Sequence, residues 1–501
     1  MKNATKYQEF FDTRSLRDDL KGKSLRGGLV TMGGAGIGFA LRIGATAVLA
    51  RLLIPEHVGL ISMVTALTAI AESFKDFGLS TATIQQKEIT HEQVTSLFWV
   101  NALVGFVIMA IICGLSIFIA RFYNDSRLIW ITIALSTSFF WGGITVQHQA
   151  ILMRKMKFAS LTAINLGATL LSIIIAVILA VKGYGYWALV WREVSRNFIF
   201  AAGTWLVCPW LPGLPRRSTK IGSMLKIGGD VTAFNLITFF TDNLDYVLIG
   251  KLFGAAPLGL YKQGTQLALL PVGFLTEPVN TVAQPALRVL HDDAQRYREY
   301  YKKIVKSLSF ASMPLMVFLF LFAQEIILML LGEKWMKAIV FFKIFALAGF
   351  IRPSIGTSGF VMITCGKTRR YMYVGILNSL SIIIGIGVGL IWGAEGVALG
   401  HVIANYILLI PVAHIAFKDT PITVGLFLSS ILPAVICSLA MGIVLTIFSS
   451  LHFFHSNFTV IAASLPVALV SYLAAWMVMP DGKARLTAMY LDFSSMFRAS
   501  A

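Results

Sequence analysis

The stretch "ALTAIAESFKDFGLSTATIQQ" (66–86) opens as an apolar run and then meets Glu72, Lys75 and Asp76 within five residues. Read as the end of a membrane span, it makes the chain a polytopic helical protein. Composition favours that reading. The 501 residues are 57% hydrophobic and 13% charged, against about 25% charged in soluble domains. Apolar runs of roughly 20 residues, the length that crosses a hydrocarbon core about 30 Å thick, recur along the whole chain. They predict fourteen spans, at 27–53, 57–78, 94–120, 127–152, 160–181, 184–207, 225–252, 258–286, 304–331, 336–364, 371–393, 395–417, 424–448 and 458–479. The expected fold class is an all-α polytopic membrane protein.

The connections set the orientation. With both termini cytosolic, 28 of the 42 Lys and Arg fall on the inner side, in the N-terminal tail and in "RKMK" (154–157), "RRSTK" (216–220) and "GKTRR" (366–370). Seven fall outside and seven within spans. This is the positive-inside pattern, and it requires an even span count. It also accounts for the net charge of +18 through anionic headgroups, so no nucleic-acid partner is needed. The first 26 residues are polar and mixed in charge, without the apolar core of a signal peptide. Tyr7, Phe10 and Phe11 would form one face of an interfacial helix there, if the tail is not simply disordered. "LRVLHDDAQRYREYYKKIVK" (287–306) reads as a charged surface helix. Cys113, Cys208, Cys365 and Cys437 have no ligand-like spacing, so neither a disulfide framework nor a metal site is expected.

An offset of 200 residues aligns "SLRGGLVT" with "MLKIGGDVT" and "RLLIPEHVGL" with "KLFGAAPLGL", including Gly28/Gly228, Phe39/Phe239, Leu52/Leu252 and Gly59/Gly259. Span 1 maps onto span 7 and span 2 onto span 8, so two parallel six-span halves are expected, as in many transporters. The domain reading is a tail (1–26), an N-lobe (27–207), a linker (208–224), a C-lobe (225–418), two further spans (419–480) and a C-terminal tail (481–501).

A charge at mid-bilayer costs about 2.5–3.5 kcal/mol on insertion scales and normally faces a bundle interior or a watery cavity. At helical periodicity, Ser62, Thr65, Glu72 and Asp76 share one face of span 2, with Lys75 at its edge. Ser138, Trp141, Thr145, His148 and Gln149 share one in span 4; Asn235, Thr238, Asp242, Asp245 and Tyr246 one in span 7; Lys262, Thr265, Gln266, Gly273 and Glu277 one in span 8. Such stripes imply a hydrophilic path. Each has a plainer alternative. Glu72 and Asp76 flank Lys75 and neutralise it; Arg192, Glu193, Arg196 and Asn197 form an interhelical clamp; Arg352 pairs with a carbonyl freed by Pro353. Arg42 and Asp242, equivalent under the repeat, are a gate, a substrate or coupling site, or a structural ion pair. His401 and His414 read as packing residues. Seven basic and eight acidic residues within the spans nearly cancel, so a uniformly cationic cavity does not follow.

There is no G-x-x-x-x-G-K-[ST] loop, so the chain is not expected to hydrolyse ATP, and H-E-x-x-H and G-x-S-x-G are also missing. "GGAGIG" (33–38) lies within span 1 and reads as helix-packing glycine. The outer loops are short and poor in acids, unlike those expected of a membrane glycosyltransferase. The expectation is no enzymatic activity and no cofactor.

"ARLLIPEHVGLISM" (50–63), "FKDFGLSTATIQQKEITHEQVTSLFWVN" (74–101), "YGYWALVWREVSRN" (184–197), residues 242–301 from "DNLDYVLIGKLFG" to "QRYREYY", and "LGEKW" (331–335) together resemble the polysaccharide-transporter branch of the multidrug/oligosaccharidyl-lipid/polysaccharide exporter superfamily. The likeness runs over about 25–420 and is nearest to the colanic-acid and succinoglycan type of exopolysaccharide exporter. It departs at His57, where relatives often carry an acid. The resemblance implies two six-helix lobes in a V, and a flippase of the bacterial inner membrane. Such a flippase moves an undecaprenyl-diphosphate-linked oligosaccharide outward by alternating access, for exopolysaccharide or O-antigen synthesis beside polymerase and chain-length machinery. The head would sit between the lobes. Arginine forks suit a diphosphate, so Arg42, Arg192, Arg196, Lys262, Lys343 and Arg352 are the expected substrate-binding residues, with Trp141 and Trp191 stacking on sugars. H⁺ or Na⁺ coupling would use Asp242, Asp245, Asp76 and Glu72. The alternative is a cation-coupled multidrug antiporter; a lipid II flippase has the same architecture, and a purely structural partner of the polymerisation machinery would not need the stripes.

Overall fold

A computed structural model of the protein describes residues 20–72, 74, 80, 83, 84, 86, 89–214, 243–451, 456–480, 482, 483 and 487. Every regular element among them is helical. The helices are α1 (Leu20–Leu52), α2 (Pro55–Glu72), α3 (His91–Tyr123), α4 (Arg127–Arg154), α5 (Phe158–Val181), α6 (Trp187–Val207) and α7 (243–253). There follow α8 (Ala255–Val289), α9 (Ala294–Leu321), α10 (Ala323–Leu330), α11 (Ala338–Gly356), α12 (Ser358–Thr364), α13 (Thr368–Gly389), α14 (Gly393–Phe417), α15 (Val424–Ser450) and α16 (Asn457–Val478). Among the described residues nine stretches are long and apolar enough to cross a membrane, and one of these, Thr368–Phe417, contains both α13 and α14. The chain divides into two compact units, Met1–Ala256 and Pro257–Ala501.

In the first unit α3 packs on α4, α5 on α6 and on α1, and α6 on α4. α3 shows how the sequence builds such a helix for lipid. Leu103, Val107, Ile111, Leu115 and Phe118 are exposed at three- and four-residue spacing, whereas Asn101, Gly105, Ile112 and Ser116 are buried. The small and polar residues of this helix, Asn101, Gly105 and Ser116, are on its inner side, the arrangement that lets membrane helices approach closely. Gly105 meets Gly143 of α4: a Cβ on Gly105 would lie 2.6 Å from the Phe139 carbonyl oxygen, and one on Gly143 would lie 2.6 Å from that of Asn101. Beside this crossing Gln147 donates to Asn101 Oδ1 at 2.9 Å and accepts from Thr83 at 2.7 Å, all three buried. "GGAGIG" behaves as the sequence predicts at two positions. A Cβ on Gly34 would strike Thr162 Cγ2 at 2.1 Å, and Gly38 faces Leu166, both on α5.

The α3–α4 corner carries a charged cluster. Asn124 takes a left-handed backbone (φ 57) to close α3. Asp125 then accepts from the Arg127 backbone at 3.0 Å and from its guanidinium at 2.7 Å, and Arg127 reaches Glu56 at 2.7 Å. The hydrogen bonds from Arg127 hold the Asp125 carboxyl below the usual carboxylate range. A depressed carboxylate stabilises the fold above its unfolded value, near 4, and that contribution is lost as pH falls through the folded value. The melting temperature in detergent is therefore expected to fall below about pH 4, with a smaller drop in Asp125→Asn. Equal acid sensitivity of the two proteins would contradict this.

In the second unit α9 packs on α11 and α15, α13 on α14, and α15 on α16. Between α9 and the α11–α12 segment runs a dry ladder of hydroxyls: Tyr297 with Thr364 at 2.7 Å, Tyr301 with Thr357 at 2.9 Å, and Ser309 with Ser354 at 2.9 Å. α13 and α14 form an antiparallel hairpin with glycines facing in register, Gly385 against Gly400 and Gly389 against Gly396. Residues 287–306 are not one surface helix. Leu287–Val289 end α8, the chain turns at 290–293, and Asp293 caps α9 by accepting from the amides of Gln295 and Arg296. The charged first turns of α9 then continue into an apolar span, because Tyr297, Tyr301, Ile304 and Val305 already bury one side.

Candidate functional site

The candidate site lies on α6, which carries Arg192, Glu193 and Arg196 in its second and third turns. Their neighbours come from α4 and α5, the two helices on which α6 packs most extensively. Arg192 turns onto the residue next to it, with Nε and Nη2 donating to Glu193 Oε1 at 3.2 and 2.7 Å. Arg196 reaches across to α5 and donates to Asn165 Oδ1 at 3.3 Å. Asn197 reaches the other way, to Ser138 Oγ of α4 at 3.2 Å, and also bonds its own helix at the Glu193 carbonyl. Trp141 of α4 stands edge-to-face with Phe198, ring centroids 4.9 Å apart. The side chain of Glu193 keeps 31% of its accessibility and that of Arg192 keeps 34%. A ligand can therefore reach the pair, and the polar side chains of α4, α5 and α6 around it outline a recess.

The chemistry of this recess is specific. One guanidinium is neutralised by a carboxylate. Among the described residues the other holds only a neutral amide, at 3.3 Å, which leaves most of its five N–H donors without a partner there. Two amides and a hydroxyl add donors and acceptors, and Trp141 with Phe198 adds aromatic faces. A cation with spare donors next to aromatics and amides accommodates an anionic, hydroxyl-rich ligand.

The remaining expected binding residues stand apart from this cluster. Arg42 on α1 is exposed and makes no hydrogen bond or ion pair among the described residues. The glycine contacts place 34 beside 162 and 38 beside 166, so Arg42 lies more than a turn beyond the level of Asn165 along the parallel α1–α5 pair. Lys262, Lys343 and Arg352 belong to the second unit. Lys262 is half-buried on α8, and Lys343 on α11 sits 5.8 Å from the Phe320 ring centre. Arg352 is exposed beside Pro353, again with no such partner among the described residues. Trp191 is exposed on α6. Of the expected coupling carboxylates, Asp245 is buried on α7 and accepts from the Tyr246 amide at 2.8 Å. Glu72 is exposed at the end of α2. Asp76 and Asp242 lie outside the described residues.

The polar stripe expected on α4 divides in two. Ser138 and Trp141 join the site. His148 is instead buried, stacked on Trp205 at 4.2 Å with Nε2 3.1 Å from the Trp210 carbonyl, and Thr145 returns its proton to the Trp141 carbonyl of its own helix. Asn165 escapes the reading by stripes because it is a lone amide in a helix without charges. Its available signal was that isolation: an amide within so apolar a span needs a polar partner.

A multi-helix membrane fold with charged residues inside a span defines a polytopic membrane protein with a polar site within the bilayer. Comparison with known proteins narrows the class. Residues 48–340, more than half of the chain, match the family described as "Polysaccharide biosynthesis protein", and the chain belongs to that family. It is 24% identical over 413 residues to the lipopolysaccharide biosynthesis protein WzxC of Escherichia coli (strain K12), covering 79% of this chain and 83% of that protein. The fold matches that of the lipid II flippase MurJ in an inward closed conformation, with a TM-score of 0.72 at 16% identity over 90% of this chain and 97% of the other. It also matches an inward-facing multidrug transporter of the MATE family, of the MOP superfamily, with a TM-score of 0.56 at 13% identity over 76% and 96%. The structural likenesses give the chain a multi-pass helical fold shared with those transporters, and the family places it among polysaccharide-biosynthesis proteins.

Proposed function

We propose that the chain is a flippase for undecaprenyl-diphosphate-linked oligosaccharide, moving repeat units from the inner to the outer leaflet for exopolysaccharide or O-antigen synthesis. The observation that carries the reading is the α4–α5–α6 recess, where Arg196 keeps free donors among Asn165, Asn197, Ser138 and Trp141. Diphosphate oxygens suit a guanidinium fork, and sugar hydroxyls suit amides and aromatic faces. Arg192 and Arg196, with Arg42, Lys262, Lys343 and Arg352, contribute to binding the anionic head, and Trp141 contacts sugar. Both termini are cytosolic, as the inner excess of Lys and Arg requires. Six-span lobes at 27–207 and 225–418 with two further spans at 419–480 organise the transport, which proceeds by alternating access. Asp242, Asp245, Asp76 and Glu72 serve coupling to H⁺ or Na⁺. The family relationship and the likeness to a WzxC protein support this reading over drug antiport, for which cations within the spans would repel cationic cargo.

The test uses cells making a lipid-linked oligosaccharide with and without this protein. With it, the oligosaccharide becomes accessible to an impermeant sugar-oxidising reagent outside the membrane; without it, the lipid-linked form accumulates protected inside. Equal accessibility in both, together with lowered uptake of a cationic dye in the protein's presence, would establish the antiporter instead.

A further inference from the structure

The recess contains a carboxylate that the transport of an anion does not call for. Glu193 occupies the guanidinium of its own neighbour, Arg192, at 2.7 Å. Resting on the reading of the recess as an anion site, we infer that Glu193 is an internal counter-ion which the substrate's diphosphate displaces from Arg192, and that Glu193 then takes one proton from water. Each anion bound draws one proton, and release returns it as the Arg192–Glu193 pair re-forms. The step balances: one ion pair opens, one guanidinium–anion pair forms, and one carboxylate becomes a carboxylic acid. The net charge that the recess must hold is thereby lowered by one.

Three observations support the exchange. The pair is between consecutive residues of one helix, so opening it needs side-chain rotation and no movement of a helix. Both side chains are about one third accessible, so an anion and a proton reach them. And the carboxylate, once stripped of its partner, stands beside the incoming diphosphate, whose like charge favours the neutral acid. The charges acting on Glu193 are Arg192 and then Arg196, both on α6. Arg196 is held by Asn165. Helix α5 carries no charged residue, and within α4 the only titratable side chain between Arg127 and Arg154 is His148, held at the Trp210 carbonyl. From α2 come Glu56 and His57 at its start and Glu72 at its end. None of the groups on α2, α4 or α5 forms a hydrogen bond to Glu193 among the described residues.

The test is calorimetric titration of the purified full-length protein in detergent with a farnesyl-diphosphate-linked sugar, between pH 6 and 8, in two buffers of different ionisation enthalpy. The diphosphate diester of this probe does not titrate in that range. Wild type is expected to take up about one proton per ligand, so its affinity falls about tenfold per pH unit on the alkaline side. Glu193→Gln binds with no proton uptake and a flat pH profile, and more tightly than wild type at pH 8. Arg192→Lys binds more weakly and retains the proton uptake. Binding by wild type without proton uptake overturns the inference alone, since Glu193 has then moved to Arg196 or stayed ionised. Proton uptake that persists in Glu193→Gln does the same. Failure of wild type to bind the probe at all overturns the flippase reading with it.

Discussion

Arg196→Ala is expected to slow translocation of lipid-linked oligosaccharide by about 10- to 100-fold, the effect of losing one charge-assisted set of hydrogen bonds worth about 1.5–3 kcal/mol. The loss falls on transport rather than on folding. In the resting protein Arg196 makes one long bond, 3.3 Å to a neutral amide, so its removal is expected to change stability by only about 1 kcal/mol. Arg196→Lys keeps the charge but not the planar fork and should fall between the two. The check is an initial rate of flipping in vesicles of matched protein content. A rate for Arg196→Ala within about twofold of wild type, where a loss of 1.4 kcal/mol would give tenfold, would remove Arg196 from the site.

The second large effect is structural. At the α13–α14 hairpin a Cβ on Gly400 would lie 1.9 Å from the Gly385 carbonyl oxygen and 2.6 Å from its carbon, and a Cβ on Gly385 would lie 2.3 Å from the Gly400 oxygen. Backbone cannot turn aside as a flexible side chain does. Gly400→Leu must therefore separate the two helices, losing contact at Gly385, Gly389 and Gly396 together. The expected cost is about 3 kcal/mol, the upper end of ordinary overpacking, read as a large drop in melting temperature and in the yield of folded protein. Gly387→Ala is the control. It lies on α13, the helix of Gly385 and Gly389, with open space around it, and is expected to melt at or above the wild-type temperature, since alanine restricts the unfolded chain. Equal melting of Gly400→Leu and wild type would contradict the close packing.

Both sites show what the residues disclosed and what they withheld. Spans were legible where length and apolarity suffice, as in the nine stretches among the described residues, and α3 wears its lipid face as a row of large residues. The hairpin too was visible as "GIGVG" (385–389) and "GVALG" (396–400), each with glycines four apart, the spacing of close membrane-helix packing. Stripes of polar residues were less reliable. A hydroxyl in a helix can satisfy itself on the carbonyl a turn back, as Ser62 does on Val58 and Thr145 on Trp141, so its face carries no information about a path. His148 shared the face of Ser138, yet Trp205 of α6 and Trp210 just past that helix claim it. The charges of α6 were legible as a clamp or a site. Arg196 and Asn197 do bridge to α5 and α4, while Arg192 and Glu193 close on each other; only tertiary contact could divide those roles. Asp293 illustrates a local signal outweighed by charge pattern: the "HDDAQ" stretch (291–295) contains a helix cap, though the segment as a whole reads as one charged helix.

The central claim is that this chain alone moves a diphosphate-linked glycolipid across a bilayer, through the recess on α6. The direct measurement uses purified protein in liposomes carrying a fluorescent short-chain polyprenyl-diphosphate oligosaccharide on both leaflets, with an imposed pH or Na⁺ gradient and no ATP. An impermeant quencher added outside reports how much probe reaches the outer leaflet. Quenching of nearly all the probe is expected in liposomes with wild-type protein, of about half in protein-free liposomes, and with a slowed approach for Arg196→Ala. Quenching that stops at the protein-free level, while the same vesicles exchange a cationic dye for protons, would contradict it.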